Sequence, residues 1–197
     1  MKADTKRRHR RPLRLEGYDY SQAGAYFVTI CTKDKDGILA EITDEAMRLS
    51  PAGKVVEACW KSLPSRYPNV ELDAFVVMPN HVHGIIMISI GAHTVGAIHE
   101  LPLHESSTSR QISRRRMLLP KIVGYIKMNT AKRINQLCNA HGVPVWQRNY
   151  YEHVIRNEGS LNSIRQYIAE NPVHWALDEE NPIRRGNSRI APCYGQQ

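Results

Sequence analysis

FVVMPNHVHGIIMI, residues 75–88, joins two apolar runs through a short break, and its reading decides the fold class. With the flanking residues, 71–78 (ELDAFVVM) reads as one strand and 82–90 (VHGIIMISI) as the next, both rich in β-branched or large apolar residues. Only Pro79, Asn80 and His81 separate them, so the pair is expected to be an antiparallel hairpin. Side chains alternate along a strand, which sends His81 and His83 to one side and Val82 to the other.

Working outward, residues 25–32 (AYFVTICT) form another buried strand, and 34–37 supply turn chemistry. Ser50 followed by Pro51 starts a helix, with Val55, Val56, Cys59, Trp60 and Leu63 on one apolar face and Pro64 and Pro68 closing the segment. Residues 91–119 are polar and read as a long mobile loop inserted into the domain. A second helix is expected over 120–138, its core side carrying Ile122, Ile126, Ile134 and Cys138. Residues 145–156 (VWQRNYYEHVIR) read as a strand region opened by a turn, in which Tyr150 and Tyr151 are taken as packing residues. Ser160 is expected to cap a last helix that ends near Asn171, because Pro172 biases the residue before it away from helical geometry.

The order strand, helix, strand, strand, helix, strand predicts an α+β fold, a ferredoxin-like βαββαβ sandwich with an antiparallel sheet and an extra C-terminal helix. The domain is expected over 21–177, preceded by a basic arm (1–20) and followed by a polar tail (178–197).

Composition narrows the function classes. An apolar fraction of 42% and a charged fraction of 23% are ordinary for a folded domain. No apolar run approaches the roughly 20 residues that cross a bilayer, and the N-terminus does not read as a secretory signal. A bacterial-type cytoplasm near the nucleoid is the expected location. The four cysteines are far apart and form no CxxC pair, so no sequence-recognisable zinc ribbon is present. The net charge of +8 suits a polyanion. It is concentrated in Arg7, Arg8, Arg10 and Arg11 and in Arg114, Arg115 and Arg116, which with Lys127 are the candidate DNA contacts.

Two neutral imidazoles converging from one strand can hold a divalent cation, although two ordinary histidines near a turn would look the same. Competing metal enzymes fit poorly. Position 85 is Ile, not the Asp of a metallo-β-lactamase-like site; HExxH is absent; and an amidohydrolase-type barrel needs about 250 residues. On the last helix Tyr167 and Asn171 lie four apart and share a face. Periodicity alone makes Tyr167 a core aromatic. A phenol, with an ordinary pKa near 10, attacks a phosphodiester only when the phosphate is neutralised and aligned.

Residues 75–88, together with WQRNYYEHVIRNEGSLNSIRQYIAENP at 146–172, resemble the two motifs of single-tyrosine HUH transposases, and most closely their REP-associated tyrosine transposase branch. The carrying features are Trp146-Gln147, the Glu152–Asn157 segment and Tyr167-Ile168-Ala169-Glu170-Asn171-Pro172, and the resemblance covers about residues 20–175. It implies His81, His83 and Asn171 as ligands of Mg²⁺ or Mn²⁺, and Tyr167 as the nucleophile that forms a 5′-phosphotyrosine intermediate. It also implies single-stranded or hairpin DNA as partner and a monomer or homodimer; the short loop from Asn157 to Gly159 would let Tyr167 reach the histidines of its own chain. Two other readings remain open at this point: a domesticated DNA-binding protein that no longer cuts, and an unrelated metal-dependent hydrolase.

Overall fold

The computed structural model describes residues 22–43, 46–89, 117–175 and 181. The basic arm, Arg114 to Arg116 and the polar tail from 182 fall outside the described residues. Strand β1 spans Gly24–Cys31, β2 Ala40–Thr43, β3 Ala46–Leu49, β4 Val70–Val77, β5 His81–Ile88 and β6 Tyr151–Ile155. Helix α1 spans Pro51–Lys61, α2 is a single turn at Leu63–Arg66, α3 spans Leu118–Leu137 and α4 spans Glu158–His174.

One sheet runs in the order β4-β5-β1-β6, and each neighbouring pair is antiparallel. Strands β2 and β3 pair with each other instead. Apart from that small hairpin, the order β1-α1-β4-β5-α3-β6 over this sheet is the ferredoxin-like sandwich. The sheet has two dressed faces, because the pleat sends alternate residues opposite ways. Tyr26, Val28 and Ile30 of β1 and Val82, Ile86 and Ile88 of β5 pack with Val56 and Trp60 of α1 and with Ile122, Ile126 and Ile134 of α3. Phe27, Val76, Ile85 and Ile155 face the other way and pack with Leu161 and Ile168 of α4 and with Trp175. The extra C-terminal helix therefore covers the face that α1 and α3 leave free.

Gly84 sits between these faces, one residue past His83. Trp60 stacks on Phe75 with ring centroids 4.5 Å apart, and a Cβ added at Gly84 would lie 2.4 Å from Trp60 Cζ2. Only a glycine lets the indole of α1 press this closely against the strand.

Several sequence expectations need correction. The β2–β3 hairpin was not anticipated; its strands have only four residues each, too short for a periodic signal. Residues 145–150 are not a regular strand. Trp146 makes an isolated bridge to Thr32, and the Lys127 ammonium gathers the carbonyls of Gln147, Arg148 and Asn149, which withdraws them from any ladder. Helix α3 starts at Leu118, so the end of the expected loop is already helical. Helix α4 starts two residues before Ser160, with the Asn157 side chain as its cap accepting from Ser160 N at 2.8 Å. It also continues through Pro172 to His174. The proline bias is a local preference, and here the burial of Trp175 outweighs it.

Helix α4 is pinned to the sheet edge at a β4 irregularity between Leu72 and Phe75. There Asp73 accepts two bonds from Arg165, Nε to Oδ1 at 2.9 Å and Nη2 to Oδ2 at 2.6 Å. The guanidinium holds the Asp73 carboxyl below its ordinary value of 3.8.

Gly84→Ala should destabilise the fold by about 1–3 kcal/mol through overpacking against Trp60, read as a lowered urea midpoint at unchanged m. Asp73→Asn should lower Tm at neutral pH, and exchanging the charges as Asp73→Arg with Arg165→Asp should recover part of the loss. Because the folded pKa of Asp73 is depressed, its contribution is complete above about 3.8 and disappears as pH falls through the lower folded value. The Tm gap between wild type and Asp73→Asn should therefore close on acidification.

Candidate active site

Strand β5 delivers both histidines to the α4 face. His81 is opposite Cys31 on β1, and His83 lies between Thr29 of β1 and Val76 of β4. Both rings are buried, and their Nε2 atoms are 3.0 Å apart. Each outer nitrogen has its own partner. His81 Nδ1 is 2.7 Å from Asn80 Oδ1, and His83 Nδ1 is 2.8 Å from Thr29 Oγ1.

The network sets the tautomer of His81. Asn80 is almost fully buried, and its Nδ2 donates to the carbonyl of Lys35 at 3.2 Å. That leaves Oδ1 as an acceptor, so His81 donates through Nδ1–H and keeps the Nε2 lone pair toward His83. The Asn80 backbone is held as well, its carbonyl accepting from Thr32 N and Thr32 Oγ1, each at 2.9 Å. Lys35 presents its carbonyl from a left-handed φ of 62°, next to Asp34 at 54°, an uncommon conformation for side chains of this kind. Burial, and secondarily the neighbouring His81, push the His83 pKa down to about 3. His83 is neutral at physiological pH, and its lone pair stays available.

Helix α4 lays one face across this pair. The Tyr167 hydroxyl is 3.3 Å from His83 Nε2, and its ring is 5.2 Å from the His83 ring. Two turns on, the Trp175 ring is 6.0 Å from that of His81. Asn171 lies midway between these contacts on the same helical face. It is buried, and its Oδ1 has no hydrogen-bond partner among the described residues. A buried amide oxygen without a partner costs about 1–3 kcal/mol, so such an atom on the helical face that meets both histidines asks for a ligand. Among the described residues no further His, Cys, Asp or Glu joins the two histidines. The available protein donors are thus two nitrogens and one neutral oxygen.

The structure brings Tyr167 to the His81–His83 pair and puts Asn171 on the same helical face, between Tyr167 and Trp175. It gives Lys127 a different position: its ammonium is occupied by the 147–149 carbonyls, and burial lowers its pKa. Arg7, Arg8, Arg10, Arg11, Arg114, Arg115 and Arg116 lie outside the described residues. Tyr150 packs against the α1/α3 core as expected. Tyr151 instead is 46% exposed on the α4 face. Sequence reasoning missed Thr29, Asn80, Phe27 and Trp175. Asn80 had a local signal, being the residue before His81. Thr29 became visible only with the β1–β5 register, since it is 54 residues from its partner.

No family model matches the chain. An uncharacterized protein of Haemophilus influenzae (strain Rd) is 39% identical over 171 residues, covering 87% of this chain and 92% of its own length. The chain belongs to one family with that protein. A second Haemophilus influenzae protein, named "Putative REP-associated tyrosine transposase", is 23% identical over 163 residues, 79% of this chain and 73% of its own. Among solved structures, a REP-associated tyrosine transposase bound to a REP hairpin aligns with a TM-score of 0.49 at 18% identity, covering 90% of this chain and 88% of that one. A crystal structure of a "putative transposase" from Deinococcus radiodurans R1 aligns with a TM-score of 0.42 at 18% identity, over 80% and 95% of the two chains. The chain resembles REP-associated tyrosine transposases. No described helix is long and apolar enough to cross a membrane.

In ¹⁵N spectra of the metal-free protein, His81 should appear as the Nδ1–H tautomer, and Asn80→Ala should make it a tautomer mixture. His83 should stay neutral well below the ordinary 6.5. As its folded pKa is lowered, protonation favours the unfolded chain, and its contribution to stability erodes as pH falls below about 6.5.

Proposed function

We propose that this protein is a metal-dependent single-stranded DNA endonuclease and strand transferase, acting on hairpin-containing repeat DNA through a 5′-phosphotyrosine intermediate. The observation that carries the reading is the Tyr167 hydroxyl 3.3 Å from His83 Nε2 in the same chain. A core aromatic would bury its ring and hydroxyl, whereas Tyr167 is 48% exposed beside two buried imidazoles.

The residues fit a divalent cation. His81 and His83 would hold it through their Nε2 atoms, which lie 3.0 Å apart on one face of β5. Asn171 would add the Oδ1 that otherwise has no partner. A mixed nitrogen and oxygen set leaves room for phosphate oxygens and suits Mg²⁺ or Mn²⁺. When bound, such an ion neutralises and polarises the phosphodiester.

The chain's own groups do the rest. Tyr167 Oη forms a bond to phosphorus as the P–O3′ bond breaks; the phenol loses its proton and the departing O3′ gains one. The product is a 5′-phosphotyrosine and a free 3′-hydroxyl. A second 3′-hydroxyl then attacks the same phosphorus, restoring Tyr167 and rejoining the DNA. Each step exchanges one phosphodiester for another, so no external energy source is needed. Asn80 and Thr29 hold the imidazoles in register, and burial keeps His83 neutral. The REP hairpin bound by the solved transposase supports hairpin DNA as the partner here. Tyr167 lies beside its own chain's histidines, which favours a monomer that cuts in cis.

The test uses full-length protein, Mn²⁺ and a pool of DNA hairpins with randomised single-stranded flanks, read on denaturing gels. Wild type should form a covalent protein–DNA band. Tyr167→Phe should bind the same hairpins and form none; an undiminished band would remove the assignment. Asn80→Ala should weaken Mn²⁺ binding by about 10–100-fold in calorimetry, and normal affinity in both His81→Ala and His83→Ala would refute the metal site. Mixing Tyr167→Phe with His81→Ala chains should restore no cleavage.

A further inference from the structure

Helix α4 packs on the β4 side of the site, and β6 is the opposite edge of the sheet. The pleat of β6 turns Tyr151 and His153 toward the Tyr167 face, opposite Thr29 and Phe27 respectively, while Glu152 and Val154 are buried toward the other. Tyr151 and His153 are both exposed.

Phe27 is the hub between the two sides. It is buried, and its ring stacks on His83 at 5.3 Å and 26°. Tyr167 meets it edge-on at 6.1 Å and 83°, and Tyr151 meets it edge-on at 6.3 Å and 69°. The ring of Tyr151 is thus oriented by a buried aromatic that also touches the histidine and the nucleophile. Its exposure is nearly that of Tyr167, 46% against 48%. An aromatic side chain held by packing but left open to solvent is well suited to receive another flat ring.

We propose that Tyr151, with His153 beside it, is the stacking platform for the nucleobase next to the cleaved phosphodiester; this rests on the reading of Tyr167 as nucleophile. Tyr167, Phe27 and Tyr151 share one face of the sheet, so a strand that leaves a phosphate at the Tyr167 hydroxyl away from α4 runs over β1 toward β6. The first unpaired base along that path meets Tyr151. Exposed Arg156, directly after β6, offers a cation for the following phosphate. Stacking accepts any base, so this platform orders the strand without reading its sequence. Base-specific contacts belong elsewhere.

The experiment uses the full-length protein and a hairpin that forms the Tyr167 adduct, with 2-aminopurine placed in turn on each side of the cut. Tyr167→Phe serves as background so that the DNA stays whole. Fluorescence should be quenched at one flanking position with Tyr151 or Tyr151→Phe present, and the quench should be lost in Tyr151→Ala. Tyr151→Ala should also weaken binding about 10-fold, the usual scale for one stacked base. That loss should vanish when the flanking base is abasic or the single-stranded flank is removed. Equal quenching in Tyr151→Ala, or a binding loss that persists on the abasic or flank-free hairpin, overturns the platform while leaving the nuclease reading intact. Absence of any adduct with wild type overturns both.

Discussion

Strand β5 serves two faces at once, and the rest of the site depends on that. On one side Trp60 presses against the backbone at Gly84, and on the other His81 and His83 leave the same strand within 3.0 Å of each other. Both consequences come from the pleat: residues two apart share a face, and their neighbours take the opposite one. Packing of α1 and α3 on the first face holds the strand. The second face is then free to carry polar groups that a single-faced sheet would have to expose. Strands β4 and β1 flank β5, which removes any sheet edge from the metal-ligating candidates and limits their motion to side-chain rotation.

Burial would be costly for two imidazoles with nothing to satisfy them. The structure meets that cost by giving each ring an outer partner, Asn80 or Thr29, and by keeping His83 neutral. Asn80 is in turn anchored through its side chain to Lys35 and through its carbonyl to Thr32. This chain of bonds links the β4–β5 turn to the segment after β1, so ring orientation is tied to the fold itself. Among the described residues, Asn171 Oδ1 is left without a protein partner. The disposition resembles a preorganised metal site, in which outer partners set ligand tautomers before the ion arrives.

Helix α4 brings chemistry to the pair from outside the sandwich. Its apolar face packs through Leu161 and Ile168, its edge is fixed by Arg165 on Asp73, and its end by Trp175. These anchors lie on both sides of Tyr167, so the nucleophile candidate is on a rigid element although its own ring is half exposed. The connection from β6 to α4 is only Arg156 and Asn157, which leaves little slack for the helix to reach another chain.

The sequence by itself determined the α+β order, the hairpin bearing His81 and His83, their common face, and the shared helical face of Tyr167 and Asn171. Each follows from periodicity over adjacent residues, which needs no knowledge of distant partners. Tertiary structure alone decided that α4 crosses the sheet on the face opposite α1 and α3, and that Thr29 and Phe27 of β1 reach His83. It also decided that Tyr151 is open to solvent instead of packed. These facts depend on register and docking between segments far apart in the chain, where burial of Trp175 outweighs even the local signal of Pro172. Lys127 shows the same limit: a helix-borne lysine reads as a free cation, and only the folded loop reveals three carbonyls waiting for it.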